Sequence, residues 1–311
     1  MTPFKQDQWA LILGGSSGFG LATAKKLSQH GMSVCVVHRD RRGAMKRITP
    51  EFDQIRAHGH GFLALNTDAL SADKRPEILD ALQQQMGEKG RVRALLHSIA
   101  FGNLKPLAPV IEDGATKRAV EQLAQALGIP TETLGQKIEQ TFEGGALALH
   151  TLAVPVYGKQ LLEDEDVART IYAMGTSLLS WVKDMHLRGL FAEDARVLGL
   201  TSEGNEVAWR GYAAVSAAKV ALEAASRSVA VEYAPFGIRC NIVQAGVTDT
   251  PAMRAIPGSL QMKASAQLRN PFRRLTRPQD VANFICLLCT DEAAWVNGAV
   301  LRVDGGEHIG S

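Results

Sequence analysis

Short, uninterrupted apolar runs alternate along the chain with longer stretches whose apolar residues recur at helical spacing. Residues 9–13, Trp-Ala-Leu-Ile-Leu, end at glycines and read as a strand buried on both faces. A helical pattern at 21–30 follows, with Gly31 placed as its stop, and 32–37 is a second β-rich run. Residues 61–65 predict a third strand, 74–86 a helix and 92–96 a fourth strand. The rhythm resumes with a strand at 195–200, a long alanine-rich helix at 212–232 and a strand at 239–243. A helix opening at Pro278 runs to 288, and a last strand, 300–303, leads into Asp304-Gly305-Gly306. Strand, helix, strand at this pace means parallel strands with crossover helices. The expected fold is α/β, a doubly wound parallel sheet (Rossmann fold), with residues 1–311 as one domain.

Residues 103–166 break the alternation and predict a helical insertion near the substrate side, with helices at 115–127 and 131–142 and an apolar loop at 146–156. Within it, Leu123 to Leu134 carries the Ala…Gly…Leu spacing of a helix-turn-helix. The second helix, however, offers two glutamates and one lysine where a groove-reading helix needs basic or amide residues. No nucleic-acid partner is expected.

Composition narrows the picture little further. With 311 residues, 46% hydrophobic and 21% charged, the chain has an ordinary globular make-up. Thirty-four basic against 32 acidic side chains leave a formal charge of +2, too balanced for a nucleic-acid coat or a membrane-surface protein. Apolar runs stay below the roughly 18 residues that a membrane span needs, and the amino terminus lacks the layout of a signal peptide. The four cysteines sit in apolar segments. Cys286 and Cys289 form a C-x-x-C without a second pair at zinc spacing, so they read as one helix face. A reducing cytoplasmic setting is expected.

Candidate chemistry begins at Gly14-Gly15-Ser16-Ser17-Gly18-Phe19-Gly20, between the first strand and first helix. Glycines allow a tight turn and close backbone approach to a pyrophosphate, whose charge the helix N-terminus favours; Ser16 and Ser17 add hydroxyl donors. About eighteen residues past Gly20, where an NAD site usually has an acid for the ribose 2′-hydroxyl, stands His38, followed by Arg39-Asp40-Arg41-Arg42. Guanidinium groups pair with a 2′-phosphate that a carboxylate would repel, so NADP(H) is expected, with Arg39 as reader. Asp68, after the third strand, is placed to meet the adenine. Tyr212 and Lys219 are seven residues apart; seven steps of about 100° return to within roughly 20° of the start, so both share a helix face. An ammonium beside the phenol would lower its pKa, and the phenol could serve a developing oxyanion.

Together, Gly14-x3-Gly18-x-Gly20, Asp68-Ala69, Tyr212-x6-Lys219, Gly246-x3-Thr250 and Val303-Asp304-Gly305-Gly306 resemble the short-chain dehydrogenase/reductase superfamily over the whole chain apart from the insertion. The superfamily's usual tyrosine, four residues before the lysine, is missing. The six-residue gap, with Leu96-His97-Ser98-Ile99-Ala100-Phe101, instead resembles the enoyl-acyl-carrier-protein reductases. Many of those have a second tyrosine ten residues before the first, where this chain has Ser202, and the ordinary glycine loop points to their NADPH-using branch. Ser202 also falls where carbonyl-reducing members carry their catalytic serine. Tyr172 falls near the asparagine of their proton relay.

The resemblance implies NADPH (NADP+) across the strand ends, held by the glycine turn, His38, Arg39, Asp68, Ala69, Ser98, Ile99, Ala100 and Lys219, with Val247 and Thr250 at the carboxamide. It implies Tyr212, Lys219 and Ser202 as catalytic residues and reduction of the C2=C3 bond of a 2-enoyl thioester, possibly on acyl carrier protein, by a homotetramer. The alternative reading is an NADPH-dependent 3-oxoacyl thioester or ketone reductase. A third, non-catalytic reading is an NADP(H)-responsive binding protein that uses the insertion as its partner surface.

Overall fold

The computed structural model describes residues 4–111 and 114–310. In chain order it runs β1 (Gln8–Leu13), α1 (Gly18–Gln29), β2 (Ser33–His38), α2 (Met45–Arg56), β3 (Phe62–Asn66), α3 (Lys74–Met86) and β4 (Arg91–His97). Then come α4 (Gly114–Leu127), α5 (Thr131–Glu143), α6 (Asp164–Ile171), α7 (Ser177–Leu187) and β5 (Phe191–Thr201). The last part holds α8 (Ala213–Glu232), β6 (Ile238–Ala245), α9 (Pro251–Arg254), α10 (Ser259–Arg269), α11 (Pro278–Leu288) and β7 (Val300–Val303). The seven strands form one sheet, all parallel, in the order β3-β2-β1-β4-β5-β6-β7. The order reverses direction between β1 and β4, which opens a crevice at their carboxyl ends.

Side-chain alternation on each strand feeds two cores. Leu11, Leu13, Cys35 and Val37 pack with Leu79 of α3, Trp181 of α7 and Leu222 of α8. Ala10, Ile12, Val34 and Val36 pack on the other face with Leu27 of α1, Phe52 of α2 and Ile285 of α11. Both faces are covered, which is why the strands read as continuous apolar runs rather than alternating ones. All four cysteines are free and buried in this core. No helix among the described residues is long and apolar enough to cross a membrane.

Every strand and helix expected from the pattern is present, with ends shifted by a few residues. The pattern reading passes over α2, where Pro50 lies inside the helix; Ile48, Phe52 and Ile55 still recur at helical spacing and are buried, so tertiary packing outweighs the proline. It also passes over α6, a π-helical turn at Tyr172–Thr176, α7 and α10. The insertion leaves and returns at one place. Lys105 pairs with Asp166 at 2.6 Å, and the Leu162 amide donates to the Pro106 carbonyl at 2.9 Å. Inside it α4 and α5 pack through Ala124, Leu134 and Ile138; residues 112 and 113 lie outside the described ones. A 3-10 turn, Leu147–Thr151, then docks on α10, where Phe142 and Ala153 meet Ala264 and Gln261 donates to the Ala153 carbonyl.

Candidate active site

The loops that follow β1 to β6 and the start of α8 surround a single cleft of about 610 Å3. Gly14, Ser16, Ser17, Gly18, Phe19, His38, Arg39, Asp68, Ala69, Ser98, Ile99, Ala100, Ser202, Tyr212, Lys219, Val247 and Thr250 all line it. Gly15 and Gly20 of the same turn are set back: a Cβ on Gly20 would stand 2.2 Å from the Gly14 carbonyl oxygen, so its role is to let helix and turn close up. Gly14 has φ +87°, and a Cβ on it would meet the Ser98 carbonyl oxygen at 2.5 Å.

The glycine turn suits a pyrophosphate on physical grounds. Ser17 is extended (φ −160°) and its side chain caps no amide of α1, so the first turn of that 12-residue helix presents N–H groups without a side-chain partner. At the end of β2, the Nδ1 of buried His38 and the Asp40 carboxylate are 2.9 Å apart, and Asp40 also lines the cleft. Arg39 is half-exposed, pairs with Asp68 at 2.8 Å and lies 4.7 Å over the Phe101 ring. Asp68 also accepts from the Leu70 amide at 2.9 Å.

At the other end, Tyr212 caps α8 and Lys219 is buried two turns on. They share a face, but the lysine does not act on the phenol as the spacing suggests. Lys219 Nζ donates to the Leu200 carbonyl oxygen at 2.8 Å. Burial pushes its pKa down to about 8, against the field of Glu223. Burial likewise raises the Tyr212 pKa; the Ser202 hydroxyl beside it works the other way. Ser202 Oγ is itself buried and has no hydrogen-bond partner other than Tyr212. Four residues before Lys219 stands Val215, also on the cleft wall. Beneath Lys219, burial and the lysine's charge hold His97 down to about 3, and its Nε2 lies 2.9 Å from Ser177 Oγ.

Three further placements bear on the expected roles of Val247, Tyr172 and the insertion. The Val247 amide is engaged by the Glu307 carboxylate, at 3.2 and 3.1 Å from its two oxygens, so it is not free to hold a carboxamide; Thr248, the next residue, also lines the cleft. Tyr172 donates to the Leu70 carbonyl at 3.3 Å and is off the cleft wall, which Met174 of the same π turn occupies. Of the insertion, 103–166, Leu104 alone is among the cleft-lining residues described. The insertion packs on α10, whose Met262 does line the cleft. Sequence reasoning missed Glu223, Arg269 and Glu307, which no local motif marks. Trp209, on the substrate-side wall, was detectable only as an aromatic near Tyr212.

Residues 130–308, more than half the chain, match the family model described as enoyl-(acyl carrier protein) reductase, and residues 8–121 match the short chain dehydrogenase model. Cis-4-hydroxycyclohexanecarboxylate dehydrogenase of Sinomonas cyclohexanicum is 30% identical over 302 residues, covering 96% of each chain. The peroxisomal 2,4-dienoyl-CoA reductase of Mus musculus is 26% identical over 306 residues, covering 98% of this chain and 85% of that protein. Among solved structures, an enoyl-[acyl-carrier-protein] reductase (NADH) from Aquifex aeolicus superposes with a TM-score of 0.70 at 21% identity, over 97% and 96% of the two chains. Fold and cleft are those of an oxidoreductase that works with a nicotinamide dinucleotide, NAD(H) or NADP(H). The chain belongs to the short-chain dehydrogenase/reductase superfamily.

Proposed function

We propose that the protein reduces the C2=C3 double bond of a 2-enoyl thioester with NADPH. The observation that carries this reading is that Tyr212 is the one phenol on the cleft wall among the described residues, while the position four before Lys219 is Val215. When bound, NADPH supplies the hydride, which adds to the β-carbon. The residues of this chain supply the rest. Tyr212, kept protonated by burial, donates a hydrogen bond to the thioester oxygen on which negative charge gathers. Lys219, anchored on Leu200, adds positive potential and would hold the ribose hydroxyls of a bound cofactor, and a proton from solvent completes the α-carbon. Leu104, Met174, Val207, Trp209 and Ile256 give the acyl chain an apolar wall that excludes water. The matched enoyl reductase model and the dienoyl-CoA reductase relative support the substrate class.

The preference for NADPH rests on Arg39 at the end of β2, with Arg41 and Arg42 exposed beyond it and the Asp40 carboxylate committed to His38. The same reading takes the acyl group on coenzyme A or acyl carrier protein and places the protein in reducing cytoplasm, which suits four buried free thiols. It also makes the enzyme a homotetramer, and the apolar Leu287, Trp295 and Val300, exposed on or close to the edge strand β7, fit contacts between copies.

One observation favours a second reading. The buried Ser202 hydroxyl beside Tyr212 is placed to orient a carbonyl oxygen, which a 3-oxoacyl thioester or ketone reductase needs. Crotonyl and acetoacetyl thioesters, assayed side by side for NADPH and NADH oxidation, separate the two. Turnover of crotonyl thioester with NADPH is expected; turnover of acetoacetyl thioester alone would sink the enoyl reading.

A further inference from the structure

Glu307 begins the 3-10 turn that follows Asp304-Gly305-Gly306, and it is 2% exposed. A carboxylate so deeply buried is costly unless its oxygens are met. Both oxygens face the Val247 amide, at 3.2 and 3.1 Å, and Oε1 also accepts from the Arg269 guanidinium at 3.1 Å. The fit leaves no slack: a Cβ on Gly246 would stand 2.8 Å from Glu307 Oε2. Arg269, at the end of α10, donates from the same nitrogen to Glu203, which directly follows Ser202. One cation thus ties together three segments distant in sequence. They are the turn after β5 that carries Ser202, the helix that receives the insertion, and the carboxylate that holds the loop after β6.

We infer that Glu307, braced by Arg269, is a positioning residue that sets the loop 246–250 against the Ser202–Glu203 turn and so shapes the reactive end of the dinucleotide site. An apolar side chain could fill the same space but would leave the Val247 amide unmet. A neutral amide could meet Val247 but would not hold Arg269 between two carboxylates. The charge therefore does what shape alone cannot. The inference rests on the cleft being a dinucleotide site and is independent of which acyl substrate is reduced.

The test uses the full chain and direct binding. NADPH is titrated by nicotinamide fluorescence into wild type, Glu307→Leu, Glu307→Gln and Arg269→Met, alongside adenosine 2′,5′-bisphosphate, or ADP should the chain prefer NADH. The adenosine fragment lacks the nicotinamide half and reports on the far end of the cleft. Glu307→Leu is expected to weaken dinucleotide binding about tenfold and Glu307→Gln a few-fold, with the fragment's Kd unchanged in both. Equal weakening of dinucleotide and fragment would mean a merely structural role and overturn the inference, as would unchanged binding of both. If Glu307→Leu does not fold, Glu307→Gln and Arg269→Met decide by the same comparison. No acyl substrate is needed, so failure of the enoyl reading leaves this result standing.

Discussion

Glu223 stands one helical turn beyond Lys219 on α8 and holds the turn after β5, accepting from Thr201 at 2.7 Å and from Asn205 at 2.8 Å. Its field is what keeps the buried lysine from losing its proton more readily still: burial takes Lys219 down to about 8, and Glu223 opposes it. A charged lysine is the form that supports cofactor and oxyanion, so kcat/KM of the free enzyme should fall about tenfold per pH unit above roughly pH 8. Glu223→Gln should move that limb to lower pH. Stability runs the opposite way. The folded pKa lies below the unfolded one, so the unfolded chain binds more protons between about pH 8 and pH 10, and this lysine's contribution to stability rises with pH across that window. A profile flat to pH 9.5, or a limb moved upward by Glu223→Gln, would refute the assignment.

Removing the Tyr212 hydroxyl tests the centre of the site. The ring packs beside Gly204, where a Cβ would stand 2.5 Å from it, so Tyr212→Phe should keep the fold and the NADPH Kd. Loss of an oriented donor to an oxyanion typically lowers kcat by about 10²–10³. Full activity in the variant on a confirmed substrate would remove Tyr212 from the chemistry.

The pairing of Tyr212 with Lys219 was legible because helical spacing fixes which residues share a face. It did not reveal the acceptor of Lys219, because that choice depends on where the end of β5 lies, and so the expected lowering of the phenol pKa gives way to the effect of burial. The strands were legible because both faces of the sheet are covered and each strand carries a mainly apolar run, as at 9–13 and 34–37. Helix α7, with Leu178, Trp181, Val182 and Met185 all buried, has equally regular spacing but was passed over beside the insertion. Glu203, Arg269 and Glu307 lie far apart in sequence and meet only through the folded sheet. No local pattern encodes that meeting.

Arg39 should decide the cofactor. Its guanidinium is half-exposed, stacked on Phe101 and paired with Asp68, an arrangement that holds the charge at the mouth beyond β2. Arg39→Ala is expected to raise the NADPH KM about 10- to 100-fold, the scale of a lost charge-assisted contact, with little change for NADH. Phe101→Leu should give a smaller shift in the same direction, since it loosens the platform and keeps the charge. Equal losses with both cofactors would show that Arg39 does not read the 2′-phosphate.

His97 makes the fold acid-sensitive. Burial and Lys219 hold its pKa near 3, against an ordinary value of 6.5, so the folded protein keeps it neutral. The unfolded state takes up the proton first as pH falls. Stability is therefore complete above about pH 6.5 and lost progressively between pH 6.5 and pH 3, by an amount on the order of 4 kcal/mol. Urea unfolding at pH 7 and pH 4.5, compared between wild type and His97→Asn, isolates this contribution. The variant should lose less stability on acidification, and an equal loss in both would assign the sensitivity to other groups.

Phe142 fastens the insertion to the body of the enzyme. It is 5% exposed at the end of α5 and packs on Ala153 and on Ala264 of α10. Ala153 and Ala264 are small and the partly buried Leu147 and Leu149 can shift, so Phe142→Ala leaves a gap that a few side chains can partly close. The cost should sit at or below the lower end of the usual range for such a truncation, about 3 kcal/mol. Because the cluster is separate from the two cores that hold the sheet, the loss should fall on the docking of 103–166 rather than on global unfolding. Limited proteolysis under native conditions is then expected to cut within 103–166 at least tenfold faster in the variant. The KM for the acyl substrate should rise through α10 and Met262, which lines the cleft. An unchanged cleavage pattern together with an unchanged KM would show that the insertion is held elsewhere and that α10 is indifferent to it.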